Sequence, residues 1–433
     1  MDYSTAAVLC ASCMLFLMML GVPIAYALGF SAVVFGSLAF GSISLDKAGW
    51  ATFHLLYTFT WTPLPLFVLM ACIIAETTIG EDLYRAARSW LSRVPGGLVV
   101  ATVMGQAAMA AVVGVSGPCI VALGKVAEPE FNRYGYNRAL SLGGLCCGGV
   151  LGPLIPPSVP MIIFAAFAEV SLGSLFIAGV IPGILLAFML AAVAILLFSR
   201  NPALGRPVGG VSWTERFRSL KNIWPIVLVM LLILGSIYLG VATPTEAGGV
   251  GCTVVLIIAV TSFGLRLKGL YRAMIEAALI NAMIMVILVA ASFFSYVLGS
   301  SHLANILLGF ITSSALPPLV VIISINILLL ILGCLMEPIT IMMLTLPIIT
   351  PVITGLGFDL VWFGVLFLVN MEIGLITPPM GINLFIARNT FGISTGELIK
   401  GVLPFLVVLL VFLFILVAFP QLSLWLPNLM KGT

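Results

Sequence analysis

Apolar runs follow one another along nearly the whole chain, with few charges to interrupt them. They cover, among others, 5–20, 22–41, 48–78, 136–168, 172–198, 223–241, 245–265, 273–299, 357–388 and 397–419. About 20 such residues carry a helix across the hydrocarbon core of a bilayer. Only helices and closed barrels satisfy their backbone polar groups there, and these runs lack the period-two alternation of a barrel. Of 433 residues, 62% are hydrophobic and 8% charged, against about 25% charged in a soluble domain. That balance excludes a soluble enzyme, a disordered chain and a nucleic-acid binder, and a net charge of +3 is too small for a polyanion footprint. The chain reads as an all-α polytopic membrane protein with roughly ten crossings. Residues 5–20 are followed too closely by another apolar run to be a cleaved signal peptide. The longest polar stretch runs from Ser199 to Asn222.

Motifs for other chemistries are missing. Two histidines, His54 and His302, cannot build a histidine metal cluster. Gly124-Lys125 resembles the end of a P-loop, but the required earlier glycine is absent and Val126 follows. No His-Glu-x-x-His, Gly-x-Ser-x-Gly or paired intramembrane aspartates suggest an intramembrane enzyme. Cys10-x-x-Cys13 has redox spacing, but in an apolar run it reads as small-residue packing.

Two long runs are broken at their centres, by Gly152-Pro153-Leu154-Ile155-Pro156-Pro157-Ser158 and by Gly374-Leu375-Ile376-Thr377-Pro378-Pro379-Met380-Gly381. A single ungapped shift of 222 residues relates them. It also carries Pro129 onto Pro351, Gly135 onto Gly357, Ala165 onto Ala387, Gly179-Val180 onto Gly401-Val402 and Pro182 onto Pro404. The expected organisation is therefore two repeats, 1–222 and 223–433. Each holds five crossings, a re-entrant hairpin (about 97–131 and 316–350) and a broken helix (about 136–168 and 357–388). Five is odd, so the repeats insert with opposite orientation. With the N-terminus outside, only Lys47 and Lys431 remain outside and every other lysine and arginine falls inside, as the positive-inside rule requires. Inverted repeats with broken helices are the architecture of secondary transporters. Half-helix N-termini suit an anionic group and unwound carbonyls suit Na⁺ near the membrane midplane.

Three segments carry a family resemblance: Gly149 to Ile162, Thr243-Pro244-Thr245-Glu246-Ala247, and Asn370 to Phe385. Together they resemble the large membrane subunit of the tripartite ATP-independent periplasmic (TRAP) transporters, in the expected order and over essentially the whole chain. The resemblance implies uptake of an organic acid driven by a sodium gradient, with two or more Na⁺ ions. It further implies a periplasmic substrate-binding protein, a separate small four-helix membrane subunit, a bacterial inner-membrane location and an elevator-type fold. In that fold a scaffold holds a moving domain made of the hairpins and broken helices. The hairpin tips depart from the family pattern. Ser116-Gly117-Pro118-Cys119 stands where Ser-Gly-Ser-Ser is common, and Met336-Glu337-Pro338-Ile339 where Met-Glu-Thr-Thr is common.

The candidate sodium ligands are Ser116, Gly117 and Gly152 in the first half and Thr340, Thr377 and Gly381 in the second. Tight turns, or a hydroxyl bonded to its own helix, are the plain alternatives. Ser158 and Asn383, each after a double proline, and Arg388, at the end of the second broken helix, are the candidate substrate contacts. Capping or packing competes for the first two, and snorkelling for the arginine. Glu337 and Glu372 are candidate ion ligands or proton carriers, while Glu246 reads as a helix-capping residue. The outer docking face for the binding protein is expected around 42–47, 300–303 and the second hairpin, 316–350, which this orientation puts outside. A stand-alone proton- or sodium-coupled dicarboxylate or citrate-type transporter remains the alternative, and a channel a more distant one.

Overall fold

The computed structural model describes residues 3–431 apart from 42, 210, 301–305, 307, 310, 312 and 315. Part of the expected docking rim, 42 and 301–303, thus lies outside the described residues. Among the described residues all regular structure is helical. Six single helices are long and apolar enough to span a membrane, and two bent pairs bring the number to eight. One of these, Pro338–Gly355, is an arm of the second hairpin, and three expected crossings fall outside the count. Tyr3–Met19 and Ile24–Phe40 have only 17 residues each, about 25 Å at 1.5 Å per residue, and the second broken helix is split into Leu360–Leu375 and Ile382–Phe391.

Local sequence sets the helix boundaries. Asn137 accepts from Leu140 N at 2.9 Å to start the first broken helix. Asp359, at the equivalent position, accepts from Val361 N at 2.7 Å to start the second. Thr243 and Glu246 form a reciprocal capping box around Pro244, the role expected for Glu246. The first hairpin is Gly97–Val113 followed by Ser116–Arg133, and the second Pro318–Gly333 followed by Pro338–Gly355. The first broken helix runs Arg138–Leu154, bends by 45°, and continues as Val159–Phe167. The second is Leu360–Leu375 followed by Ile382–Phe391. Both double prolines contain a cis peptide bond.

The helices sort into two packed groups. In one, Ile24–Phe40 lies against Leu267–Gly299, and Pro63–Ala75 against Pro244–Thr261. In the other, Arg138–Gly149 lies against Thr395–Ala418, and Leu360–Leu375 against Leu172–Arg200. Each pair of contacts exchanges under the 222-residue shift. The core of the second group is fully buried and aromatic, with Phe164, Phe176, Phe363, Phe367 and Phe405 among its largest side chains. Among the tryptophans, Trp50, Trp213, Trp224 and Trp425 are exposed. Trp362 is not: it is buried, and its Nε1 donates to the Leu416 carbonyl at 2.9 Å.

Candidate functional site

Both hairpin tips and both helix breaks meet at one cavity of about 360 Å³. The first tip contributes Ser116, Gly117 and Pro118, the second Glu337 and Pro338. Pro153 and Val159 come from the first broken helix, and Glu372 and Asn383 from the second. The other helix group closes the cavity with Cys72, Ala75 and Glu276.

Glycine permits the convergence. A Cβ on Gly152 would stand 2.9 Å from the Val115 carbonyl carbon and 3.1 Å from Ser116 N, so the broken helix can touch the hairpin tip only with no side chain there. At the equivalent position in the second half, a Cβ on Gly374 would stand 2.4 Å from Gly333 backbone. Gly381 starts Ile382–Phe391 with φ of 50°, in the left-handed region that glycine enters freely.

Of the predicted site residues, Ser116, Gly117 and Asn383 line the cavity, whereas Gly152, Ser158, Thr340, Thr377, Gly381 and Arg388 do not. Ser116 Oγ donates to Asn383 Oδ1 at 3.4 Å across 267 positions of sequence. Both side chains are buried, and Asn383 Nδ2 has no partner among the described residues. Gly117 packs beside Ile386. Thr340 is fully buried and its Oγ1 also lacks a partner. Thr377, by contrast, lies just past the end of Leu360–Leu375 and donates its hydroxyl back to the Ile373 carbonyl at 2.6 Å, leaving only its lone pairs for a ligand. Ser158 is fully buried and caps Val159–Phe167 by accepting from Met161 N at 3.3 Å. Arg388 is not brought to the cavity. It is exposed in the last turn of its helix, with its guanidinium 5.5 Å from the Phe385 ring centre.

Three carboxylates border the cavity, Glu276, Glu337 and Glu372, and no lysine, arginine or histidine is among its lining residues. Glu372 is 2% exposed. Its carboxyl lies against the side chains of Ser116 and Asn383, and its Oε2 has no hydrogen-bond partner among the described residues. Glu276 was not singled out from the sequence, although an acid within the apolar run 273–299 is itself a signal. Among the described residues no group of three or more His, Cys, Asp or Glu side chains comes together as a metal cluster.

Two helical hairpins and two broken helices converging on one cavity, mostly apolar but bordered by three carboxylates, within an apolar helical body define a membrane transporter. The chain belongs to the family described as the DctM component of the tripartite ATP-independent periplasmic transporters, whose model matches residues 11–422. The C4-dicarboxylate TRAP transporter large permease protein of Pseudomonas aeruginosa is 36% identical over 373 residues, 86% of each chain. The large permease protein of the same designation from Vibrio cholerae is 31% identical, covering 96% of each chain. The sialic acid TRAP transporter large permease protein of Vibrio cholerae is 30% identical, covering 96% of this chain and 97% of its own. In fold, the chain is similar to the crystal structure of the Alcanivorax borkumensis YdaH transporter. That match has a TM-score of 0.59 and 16% identity, and covers 85% of this chain and 89% of the other.

Proposed function

We propose that this chain is the large permease of a sodium-coupled uptake system for an organic acid in the bacterial inner membrane. A periplasmic binding protein delivers the acid, and a small four-helix subunit packs beside the permease. The observation that carries the coupling is the charge of the cavity: three carboxylates border it and no basic side chain lines it. An organic anion entering such a space is repelled unless cations enter with it. Two or more Na⁺ ions, held by Ser116, Gly117 and Gly152 on one side and Thr340, Thr377 and Gly381 on the other, would supply that charge. Asn383 and Ser158 are then the neutral substrate contacts. Arg388 is left as a snorkelling residue, since its exposure and its stacking on Phe385 fit that role. Relatives named for C4-dicarboxylates and sialic acid support the substrate class.

The two halves act as inverted repeats, 1–222 and 223–433, with the N-terminus periplasmic. The hairpins and broken helices move as one body against the other helix group, in the manner of an elevator. Cys72, Ala75 and Glu276 border the cavity next to the Glu76–Arg272 ion pair of 2.7 Å. The positive-inside rule assigns that end to the cytoplasm, so this conformation faces inward.

The test is uptake of candidate organic acids into proteoliposomes holding this chain, with the small subunit and the binding protein added and the sodium gradient switched on and off. Uptake should need all three proteins and an inward sodium gradient. Equal uptake without sodium would end the coupled reading. Uptake by this chain alone would favour the stand-alone transporter.

A further inference from the structure

We propose that Arg216 anchors the phosphate of an anionic phospholipid whose acyl chains lie along the exposed face of the helix Trp213–Tyr238. This site goes beyond the transport reading. It lies away from the cavity, where Trp213–Tyr238 packs on the helix Ile79–Leu91.

Arg216 is 6% exposed, and a guanidinium keeps its charge in a protein. A buried charge needs a counter-charge and hydrogen bonds. Among the described residues Arg216 has neither. All four ion pairs, Arg85–Glu81, Arg88–Glu130, Arg138–Glu128 and Arg272–Glu76, lie elsewhere, and its Nε and Nη2 are closed off without a hydrogen-bond partner. The adjacent Glu215 is committed to the helix cap, where its Oε2 accepts from Ser212 N and Ser212 Oγ. What the protein supplies is aromatic. The guanidinium carbon stands 4.8 Å from the Trp213 ring centre. Trp90 packs edge-on against Trp213 and Phe217, and its Nε1 donates to the Arg216 carbonyl at 3.2 Å. A ring covers the face of a guanidinium and leaves the N–H groups in its plane free. Nη1, the nitrogen that is not closed off, is where an anion from outside meets the charge.

The helix face beside Arg216 decides which anion. Trp213, Phe217, Leu220, Trp224, Val227 and Leu231 are all exposed. Their alternating steps of four and three residues place them in one stripe, and Arg216 sits at the start of that stripe, in the first turn of a helix long and apolar enough to span a membrane. A cation at the head of an apolar stripe matches a phosphate with acyl chains behind it, whereas a free phosphate would leave the stripe unused. Further positive charge gathers at the same end. Arg93 donates to the Val211 carbonyl at 3.4 Å, and Arg218 and Lys221 are exposed on the same helix. That excess favours an anionic headgroup over a zwitterionic one. In the orientation proposed above the lipid belongs to the cytoplasmic leaflet. Trp90 comes from Ile79–Leu91, which packs on both arms of the first hairpin as well as on Trp213–Tyr238, so a lipid here braces the junction between them.

The experiment follows the unfolding temperature of the purified full-length chain in a neutral detergent as dioleoyl phosphatidylglycerol, dioleoyl phosphatidylcholine or inorganic phosphate is added. It compares wild type with Arg216→Met and with Arg266→Gln, a control that removes an exposed positive charge elsewhere. In wild type and the control, phosphatidylglycerol should act at a concentration at least about tenfold below phosphatidylcholine, and inorganic phosphate should have no effect. Arg216→Met should lose that preference. Before lipid is added it should melt no lower than wild type, because an uncompensated buried charge has gone. An arginine with a purely structural role would do the opposite, lowering the lipid-free melting temperature and leaving the preference intact. Equal responses of wild type to the two lipids, an equal response to inorganic phosphate, or a wild-type preference in Arg216→Met each overturn the proposal. If Arg216→Met does not fold, dibrominated lipids decide in wild type. Brominated phosphatidylglycerol should then quench tryptophan fluorescence more than brominated phosphatidylcholine at equal density, and equal quenching overturns the proposal. The titration is repeated with the small subunit bound, where a lost preference gives the stripe to a protein partner and overturns the lipid assignment.

Discussion

Ser116 and Thr340 illustrate how much a hydroxyl's neighbours decide. Ser116 is bonded across the halves to Asn383, whereas Thr340 is buried with no partner among the described residues. A buried hydroxyl without a partner costs roughly 1–3 kcal/mol, so Thr340→Ala should be neutral or stabilising in sodium-free buffer. If Thr340 holds sodium, the same variant should lose sodium affinity, and a thermal melt with and without sodium separates the two effects. Ser116→Ala should weaken sodium activation of uptake about ten- to a hundred-fold, the range for one charge-assisted contact. Unchanged activation in a folded protein would remove Ser116 from the ligand set. Thr377→Ala should have the smaller effect of the two, because its hydroxyl hydrogen already serves Ile373.

Each hairpin is fastened to its neighbouring broken helix by a buried amide. In the first half Gln106 Nε2 donates to the Leu145 carbonyl at 2.9 Å. In the second, Asn370 Nδ2 donates to Asn326 Oδ1 at 2.6 Å and to the Asn326 carbonyl at 3.1 Å. Such bonds fasten a hairpin to a broken helix, as the elevator movement proposed above requires. Asn370→Ala should therefore destabilise the protein by about 1–3 kcal/mol, read as a lower melting temperature, and a variant as stable as wild type would show that the bond contributes nothing. Gly374 packs backbone to backbone on Gly333, so Gly374→Val should cost at least about 1–3 kcal/mol from overpacking. If the second helix break is held in place by this contact, Gly374→Val should also reduce uptake more than Asn370→Ala does.

At the scale of the molecule, charge sets the orientation proposed above. Ala203 lies exposed in the connector between Leu172–Arg200 and Trp213–Tyr238. In spheroplasts, Ala203→Cys should resist a membrane-impermeant thiol reagent and react once the membrane is opened, whereas a cysteine placed directly after Met1 should react at once. The reverse pattern would turn the molecule over and exchange the sides assigned to the two hairpins. The rim assigned above to the cytoplasm adds a second constraint. Arg138 binds Glu128 at 2.8 Å and caps the carbonyls of Phe391 and Gly392, so a first-half cation closes the end of the second broken helix.

The amino-acid sequence by itself determined the class of fold, because apolar runs of bilayer length leave a helical membrane protein as the only economical outcome. It also located the two breaks, since Gly-Pro and Pro-Pro steps interrupt a helix, and the capping role of Glu246, which acts on the neighbouring Thr243. Hydrogen-bond partners far apart in the chain were not legible in the same way. No local pattern distinguishes Thr340, without a partner among the described residues, from Thr377, bonded one turn back, or shows that Arg388 stays out of the cavity lining. Only the tertiary structure brought Ser116, Glu372 and Asn383 together and placed Glu276 at the same cavity. Those contacts depend on how two halves some 220 residues apart pack against each other, and the energy of a buried polar group depends on what that packing places beside it.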